Sequence, residues 1–146
     1  MAANAKIFSL EDLAPVLDEL RASGKRVVHC HGVFDLLHIG HVRHFEQARK
    51  LGDVLVVTLT PDRFVNKGPS RPAFPERLRA DALAALACVD FVAINKWPMA
   101  VQTIQRLRPN VYVKGGEYRQ SDNDHTGAIL EEEQAVHAVG GELVFT

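Results

Sequence analysis

The sequence predicts a doubly wound α/β domain in which helices cover both faces of a five-stranded parallel sheet. Helix-like and strand-like segments alternate along all 146 residues. The strand-like segments include a continuous apolar run, Val54-Leu55-Val56-Val57, of the kind that parallel sheets bury on both faces. The length fits one domain with its own core. We therefore expect a single domain over residues 1–146, with right-handed crossovers between its strands.

The elements follow one another in a regular order. A capping pair, Ser9 and Asp12, precedes an apolar helical stripe that Gly24 ends. Further helices are expected at residues 39–51, 75–87, 98–107 and 127–139. Strands are expected at residues 26–31, 53–59, 89–94, 111–113 and 142–145. The inward face of the helix at 75–87 is assigned to Leu78, Ala82, Ala85 and Leu86. This Rossmann-like order places ligands beyond the carboxyl ends of the strands.

Composition narrows the classes of function. Lysine and arginine number 17 against 18 acidic residues, for a formal net charge of −1. This balance predicts no general affinity for nucleic acid or membrane surfaces. No signal peptide and no apolar run of about 20 residues is visible, so a cytoplasmic protein is expected. Cys30 and Cys88 lie in apolar stretches and are interpreted as reduced core residues.

One segment carries most of the functional signal. The motif His38-Ile39-Gly40-His41 follows the first predicted strand and opens a helix. Histidines three apart share a helix face, and the start of a helix attracts anions. Gly40 allows a ligand to approach the backbone without a Cβ in the way. The motif therefore predicts a site for the phosphates of a nucleotide.

The stretch 32–41 resembles the signature of the nucleotidyltransferase superfamily, which includes glycerol-3-phosphate cytidylyltransferases and heptose-phosphate adenylyltransferases. Lys67-Gly68 with Arg71-Pro72 resembles the mobile lysine loop of the sugar-phosphate branch, and Glu76-Arg77 resembles the family's Glu-Arg helix start. The stretch 113–118 resembles the Lys-Gly-Gly-Asp-Tyr of heptose 1-phosphate adenylyltransferase domains. The resemblance covers residues 25–145.

The resemblance implies a set of site residues. The catalytic residues would be His38, His41 and Lys67. Nucleotide would be bound by Gly32, Val33, Phe34, Gly40, Lys114, Gly115 and Gly116. The acceptor or its phosphate would be bound by Asp35, Arg77 and His31. Asp35 could also help to bind magnesium, or it could instead fix the turn by accepting backbone N–H bonds. His31 stands where the related heptose domains usually have asparagine.

The resemblance also implies the reaction. A nucleoside monophosphate would pass from ATP to a sugar phosphate such as heptose 1-phosphate, with release of pyrophosphate and with Mg²⁺ as cofactor. No metal ion held by protein side chains is expected. The alternatives are a CTP-dependent enzyme for glycerol phosphate, another polyol phosphate or a phosphonate, and a nucleotide-binding regulatory module. A homodimer is expected, as is a place in a longer multidomain chain, because the sequence ends before the family's Ser/Thr-rich turn and helix.

Overall fold

The computed structural model describes residues 3–65, 68–69, 71–115 and 128–146. Five parallel strands form one sheet in the order β3-β2-β1-β4-β5. The strands are β1 (Val27–Gly32), β2 (Val54–Leu59), β3 (Phe91–Ile94), β4 (Val111–Lys114) and β5 (Glu142–Phe145). The helices are α1 (Leu10–Ala22), α2 (Ile39–Arg49), α3 (Glu76–Ala84), α4 (Val101–Leu107) and α5 (Ala128–Ala138). The predicted fold class is confirmed.

The order of the strands reverses beside β1. The chain runs outward from β1 through β2 to β3, then returns to place β4 against the other side of β1. Two loops that leave neighbouring strands in opposite directions open a crevice between them, at the carboxyl ends of β1 and β4. The topology therefore places the start of α2, which carries the His38–His41 motif, at the edge of this crevice.

The two faces of the sheet have different cores. Helices α2 and α3 cover the first face, which we call the α2/α3 face, and its core is almost wholly apolar. This core is built from Val28, Cys30, Phe45, Leu55, Val57, Leu83 and their neighbours. The opposite, α1/α4/α5 face holds two smaller apolar clusters, around Leu13 and Leu17 and around Ile104 and Val136. Between them it also buries His29 and Thr58 completely.

The inward face of α3 differs from the predicted one. Leu78 is 54% exposed, and the buried positions are Arg79, Ala80, Leu83 and Ala84. Alanines occur on every side of this helix, so their spacing does not fix which side turns inward. The rotation brings Arg79 into the protein, where its guanidinium finds four oxygen partners, described below. The assignment of Leu78, Ala82 and Ala85 to a buried face was therefore wrong, whereas Leu86, beyond the end of α3, is partly buried against the core.

The two cysteines and the lengths of the helices can also be compared with the sequence-based expectations. Cys30 and Cys88 are both free thiols, and burial raises the pKa of the Cys30 thiol to about 12. Across the described residues, no helix has the length and apolar character needed to cross a membrane.

Candidate functional site

A cleft of about 1000 Å³ lies at the crevice between β1 and β4. It is bounded by the loop after β1, the first turns of α2 and α5, and the segment that precedes α4. Its lining includes most of the predicted site: His31, Gly32, Val33, Phe34, His38, Gly40, His41, Lys114 and Gly115. The predicted residues Lys67 and Gly116 lie outside the described residues. Asp35 and Arg77 are not among the lining residues described.

The two motif histidines cap helix α2. His38 is the N-cap, and its Nδ1 accepts the backbone N–H of Gly40 at 3.0 Å. The Nδ1 of His41 accepts the backbone N–H of His38 at 3.2 Å. This reciprocal pair is a capping box made by imidazoles. The two ring centroids lie 4.1 Å apart, so the cap also holds the rings together.

The cap fixes where each imidazole carries its proton. Because both Nδ1 atoms accept a hydrogen bond, a neutral ring in this arrangement carries its proton on Nε2. Each ring can therefore donate from the nitrogen opposite the cap. The first turn of a helix also carries partial positive charge. His38 and His41 both line the cleft at this positive end of α2, and an imidazole N–H suits the oxygens of a phosphate.

Close packing around the motif requires small or strained residues. A Cβ on Gly40 would lie 2.7 Å from Cε1 of His38, and a Cβ on Gly32 would lie 2.8 Å from the ring of Phe34. Phe34 adopts a left-handed backbone with φ of 52°. Its ring packs edge-on against His41, with centroids 5.9 Å apart. Strained backbone of this kind is typical of functional sites.

Asp35 holds the loop that precedes α3. Its carboxylate accepts the backbone N–H groups of Ala73 and Phe74 and a hydrogen bond from Arg71, at 2.7 to 3.0 Å. Burial alone would raise the pKa of Asp35, but these hydrogen bonds and the Arg71 charge together lower it to about 2. These contacts give Asp35 a structural role in the loop ahead of α3, and its predicted role toward the acceptor stays a prediction.

Arg79 holds together the loops at the edge of the cleft, and the sequence analysis did not single it out. Its buried guanidinium donates to the carbonyls of Val33, Thr60 and Phe74 at 2.7 to 3.0 Å and to the carboxylate of Asp62. These partners follow β1, follow β2 and precede α3, so one side chain joins three loops at the cleft edge. No sequence signal separates Arg79 from Arg77, because both lie in the first turn of the same helix.

Arg77, the arginine singled out from the sequence, is exposed on the surface. Its Nε lies 3.5 Å from a carboxylate oxygen of Asp81, one helical turn away. A pair in this position contributes little to stability. The geometry gives no support to a phosphate-binding role for Arg77, and that role stays a prediction.

Lys114 lies at the carboxyl end of β4 and is paired inside the protein. Its Nζ is 3.6 Å from a carboxylate oxygen of Glu132 on α5. The other oxygen of Glu132 accepts the hydroxyl of Tyr112 at 2.9 Å. The pairing holds α5 against the end of β4, beside Gly115 in the cleft wall. Glu132 lines the cleft, and the sequence analysis did not single it out.

His31 lines the cleft beside a buried polar row. Its Nδ1 is 2.8 Å from the hydroxyl oxygen of Thr58, which lies 2.7 Å from Nε2 of His29. Burial, followed by the charge of Lys114, lowers the pKa of His29 to about 3. Burial, Lys114 and His29 lower the pKa of His31 well below its usual value. Both imidazoles are therefore neutral at physiological pH.

His44 lies one turn beyond His41 but makes a different contact. Its Nδ1 is 2.9 Å from the hydroxyl oxygen of Thr146, which follows β5. In the part of the chain that the structure describes, no three His, Cys, Asp or Glu side chains converge on a point where they could hold a metal ion.

The fold and the cleft together define a class. A doubly wound sheet opens at its switch point onto paired histidines at a helix start, which is an arrangement suited to the phosphates of a nucleotide. Residues 29–140 match the family model described as cytidylyltransferase-like. The chain belongs to this family, and the predicted membership in the nucleotidyltransferase superfamily is confirmed.

The relatives are consistent with this assignment. The chain is 46% identical over 117 residues to the bifunctional protein HldE of Syntrophotalea carbinolica, and 47% identical over 118 residues to that of Geotalea uraniireducens. These alignments cover 79% and 80% of this chain but 24% of each relative. The chain thus spans about a quarter of the length of the curated relatives it matches.

Two solved structures share the fold. A lipopolysaccharide core biosynthesis protein from Thermoplasma volcanium superposes with a TM-score of 0.69 at 25% identity, over 84% of this chain and 96% of that one. A pantoate-beta-alanine ligase from Francisella tularensis superposes with a TM-score of 0.64 at 17% identity, over 96% of this chain and 66% of that one. The second likeness concerns the fold alone.

Proposed function

We propose that this domain transfers a nucleoside monophosphate from a nucleoside triphosphate to a sugar phosphate, such as heptose 1-phosphate, and releases pyrophosphate. The observation that carries the proposal is the imidazole capping box at the positive end of α2, whose two histidines line the cleft. The likeness to a lipopolysaccharide core biosynthesis protein supports a sugar phosphate as the acceptor class.

In the proposed reaction, an oxygen of the acceptor's phosphate attacks the α-phosphorus of the nucleotide. The bond from the α-phosphorus to the bridging oxygen breaks, and the electron pair leaves on pyrophosphate. His38 and His41 donate from Nε2–H to phosphate oxygens as negative charge builds on them. The chain needs no covalent intermediate, because alignment and charge neutralisation lower the barrier.

The remaining site residues take supporting roles in the proposal. The backbone of Gly32, Val33 and Phe34 lines the cleft near the histidines, and Arg79 fixes the Val33 carbonyl through a 3.0 Å hydrogen bond. Gly115, beside the Lys114–Glu132 pair, offers a backbone edge for the nucleotide. Lys67 is proposed to neutralise the β- and γ-phosphates.

Magnesium is proposed as the ion carried by the triphosphate. Asp35 already accepts three hydrogen bonds from residues 71–74. Because this carboxylate is already engaged, we expect the ion to be bound mainly through the phosphates of the substrate, which is the usual mode for Mg²⁺. When bound, Mg²⁺ would supply charge neutralisation on the leaving pyrophosphate.

The donor nucleotide has two candidates. ATP is the proposed donor, and the cytidylyltransferase-like description of the family model favours testing CTP beside it. With CTP, the acceptor would be glycerol phosphate, another polyol phosphate or a phosphonate.

The test is pyrophosphate release with Mg²⁺, crossing ATP and CTP against heptose 1-phosphate, glycerol 3-phosphate and a phosphonate. We expect release with ATP and heptose 1-phosphate, and none after chelation of Mg²⁺. Release with CTP and glycerol 3-phosphate alone would replace the proposed substrates with the alternative pair. Nucleotide binding by calorimetry without release across the panel would contradict the reaction and indicate a binding module.

A further inference from the structure

Three polar side chains form a row beneath the cleft. His29 and His31 lie on β1 with their side chains on the α1/α4/α5 face, and Thr58 lies on β2 directly beside His31 in the parallel register. The Thr58 hydroxyl oxygen is 2.7 Å from His29 Nε2 and 2.8 Å from His31 Nδ1. His29 and Thr58 are completely buried, whereas His31 reaches the cleft.

The row has a fixed number of protons. Burial keeps both imidazoles neutral, so each ring carries one N–H. The Thr58 hydroxyl has one hydrogen, which it can donate to only one of the two rings. The other ring must donate to the hydroxyl oxygen, so the row has two possible directions.

His29 decides between these directions. Its Nδ1 is buried and has no hydrogen-bond partner. A buried N–H without an acceptor is rarer in proteins than a buried acceptor without a donor. The proton of His29 therefore resides on Nε2 and is donated to Thr58. Thr58 donates in turn to Nδ1 of His31, which leaves the proton of His31 on Nε2, the ring nitrogen that remains for the cleft.

The charged groups around the row are paired with one another, so the row itself stays neutral and can donate a hydrogen bond. The titratable groups packed around it are Tyr112 and Lys114 from β4 and Glu132 from α5, and these three bond with one another. Tyr112 also meets His29 edge to face, with ring centroids 5.1 Å apart. No hydrogen bond within the described part of the chain engages Nε2 of His31. The cleft thus receives a positioned, uncharged N–H at this point.

We propose that His31 is a specificity-determining residue whose Nε2–H donates to an uncharged oxygen of the substrate, and that Thr58 is the positioning residue that fixes this tautomer. The oxygen is a hydroxyl, either of the acceptor sugar or of the nucleotide's ribose. A site built to bond a hydroxyl discriminates strongly against substrates that lack it. The identity of the ligand rests on the proposed function, whereas the tautomer does not.

The first test reads the tautomer without any substrate. Long-range ¹⁵N–¹H spectra of the histidine rings should show His29 and His31 as Nε2–H tautomers, with shifts that stay constant from about pH 8 to about pH 5. Thr58→Val should mix the tautomers of His31, and Thr58→Ser should keep them. A His31 ring protonated on Nδ1, or one that titrates near its ordinary pKa, would overturn the proposal.

The second test identifies the hydroxyl. His31→Phe and Thr58→Val should raise the KM of the same substrate about tenfold, with kcat within about threefold, because one neutral hydrogen bond is lost. Thr58→Ser should restore that KM. If the KM of the sugar phosphate rises, the hydroxyl belongs to the acceptor. If the KM of the nucleotide rises, the hydroxyl belongs to the ribose. Unchanged KM values for both substrates would overturn the specificity role.

The two tests fail separately. Absence of pyrophosphate release by the unaltered chain contradicts the proposed function and leaves the spectroscopic result as it stands. Release with unchanged KM values in both variants contradicts only the role of His31.

Discussion

The two faces of strand β1 hold polar groups in opposite ways. On the α2/α3 face, Val28 and Cys30 enter an apolar core, and the polar side chains at its edge, Arg79 and Asp35, have three or four partners each. On the α1/α4/α5 face, His29 and His31 share one hydroxyl. Saturated polar groups join loops together, whereas the sparsely bonded row leaves hydrogen-bonding capacity for a ligand.

The largest expected effect on stability concerns Arg79, at the edge of the α2/α3 face. Arg79→Met should lower the free energy of unfolding by about 3 kcal/mol, because the carbonyls of Val33, Thr60 and Phe74 each lose a partner at roughly 1 kcal/mol. Arg77→Met, two residues away and exposed, is the matched control and should change it by less than about 0.5 kcal/mol. Urea denaturation measures both. Equal losses in the two variants would remove the distinction between a buried clamp and a surface arginine.

Asp35 should show the next effect. Its pKa in the folded protein is about 2, against an ordinary value of 3.8, so Asp35→Asn should cost about 2 kcal/mol at neutral pH. Because the folded pKa is depressed, this contribution is complete above about pH 4 and is lost as the pH falls towards 2. Stability measured against pH tests it, with the exposed Asp81→Asn as control. If Asp35→Asn lost stability between about pH 4 and about pH 2 as steeply as the unaltered chain, Asp35 would not be the source of that loss.

The α1/α4/α5 face should respond to acid at a higher pH. His29 has a folded pKa of about 3 against 6.5, so below about pH 6.5 the unfolded chain binds a proton that the folded protein does not. Stability should therefore fall by about 2 kcal/mol between pH 7 and pH 5 for this residue, and His31 adds to the fall in the same direction.

Removing His29 should flatten this part of the stability curve. His29→Phe keeps a ring against Tyr112 and cannot titrate, so its free energy of unfolding should depend less on pH between 7 and 5. His137→Ala, on the exposed side of α5, should leave the dependence unchanged. The same slope in His29→Phe as in the unaltered chain would show that the buried histidine is not what makes this face acid-sensitive.

The positions of the strands could be predicted from the sequence, whereas the side of a helix that faces inward could not always be. The predicted strands, such as 26–31 and 142–145, agree with the structure to within about two residues, because apolar runs bounded by turn residues leave few alternatives. The capping role of Ser9 is confirmed by the 3.1 Å bond that it accepts from Asp12 N–H. The prediction of which side of α3 faces inward was wrong, since alanines pack equally well in several orientations.

The site divides in the same manner. His38 and His41 could be placed from their spacing and from the predicted strand before them. Arg79 could not be distinguished from Arg77, because only the packed structure shows which guanidinium meets the carbonyls of three loops. The partnership of His29 with Thr58 is equally invisible, since it depends on the register between β1 and β2.

The most direct test of the central claim is the effect of His41→Ala on pyrophosphate release and on nucleotide binding, with His137→Ala as the matched control. If His41 donates to charge that develops during transfer, kcat should fall by roughly a hundredfold or more while the nucleotide Kd changes by less than about threefold. Equal losses of turnover and affinity, or turnover like that of His137→Ala, would contradict the account.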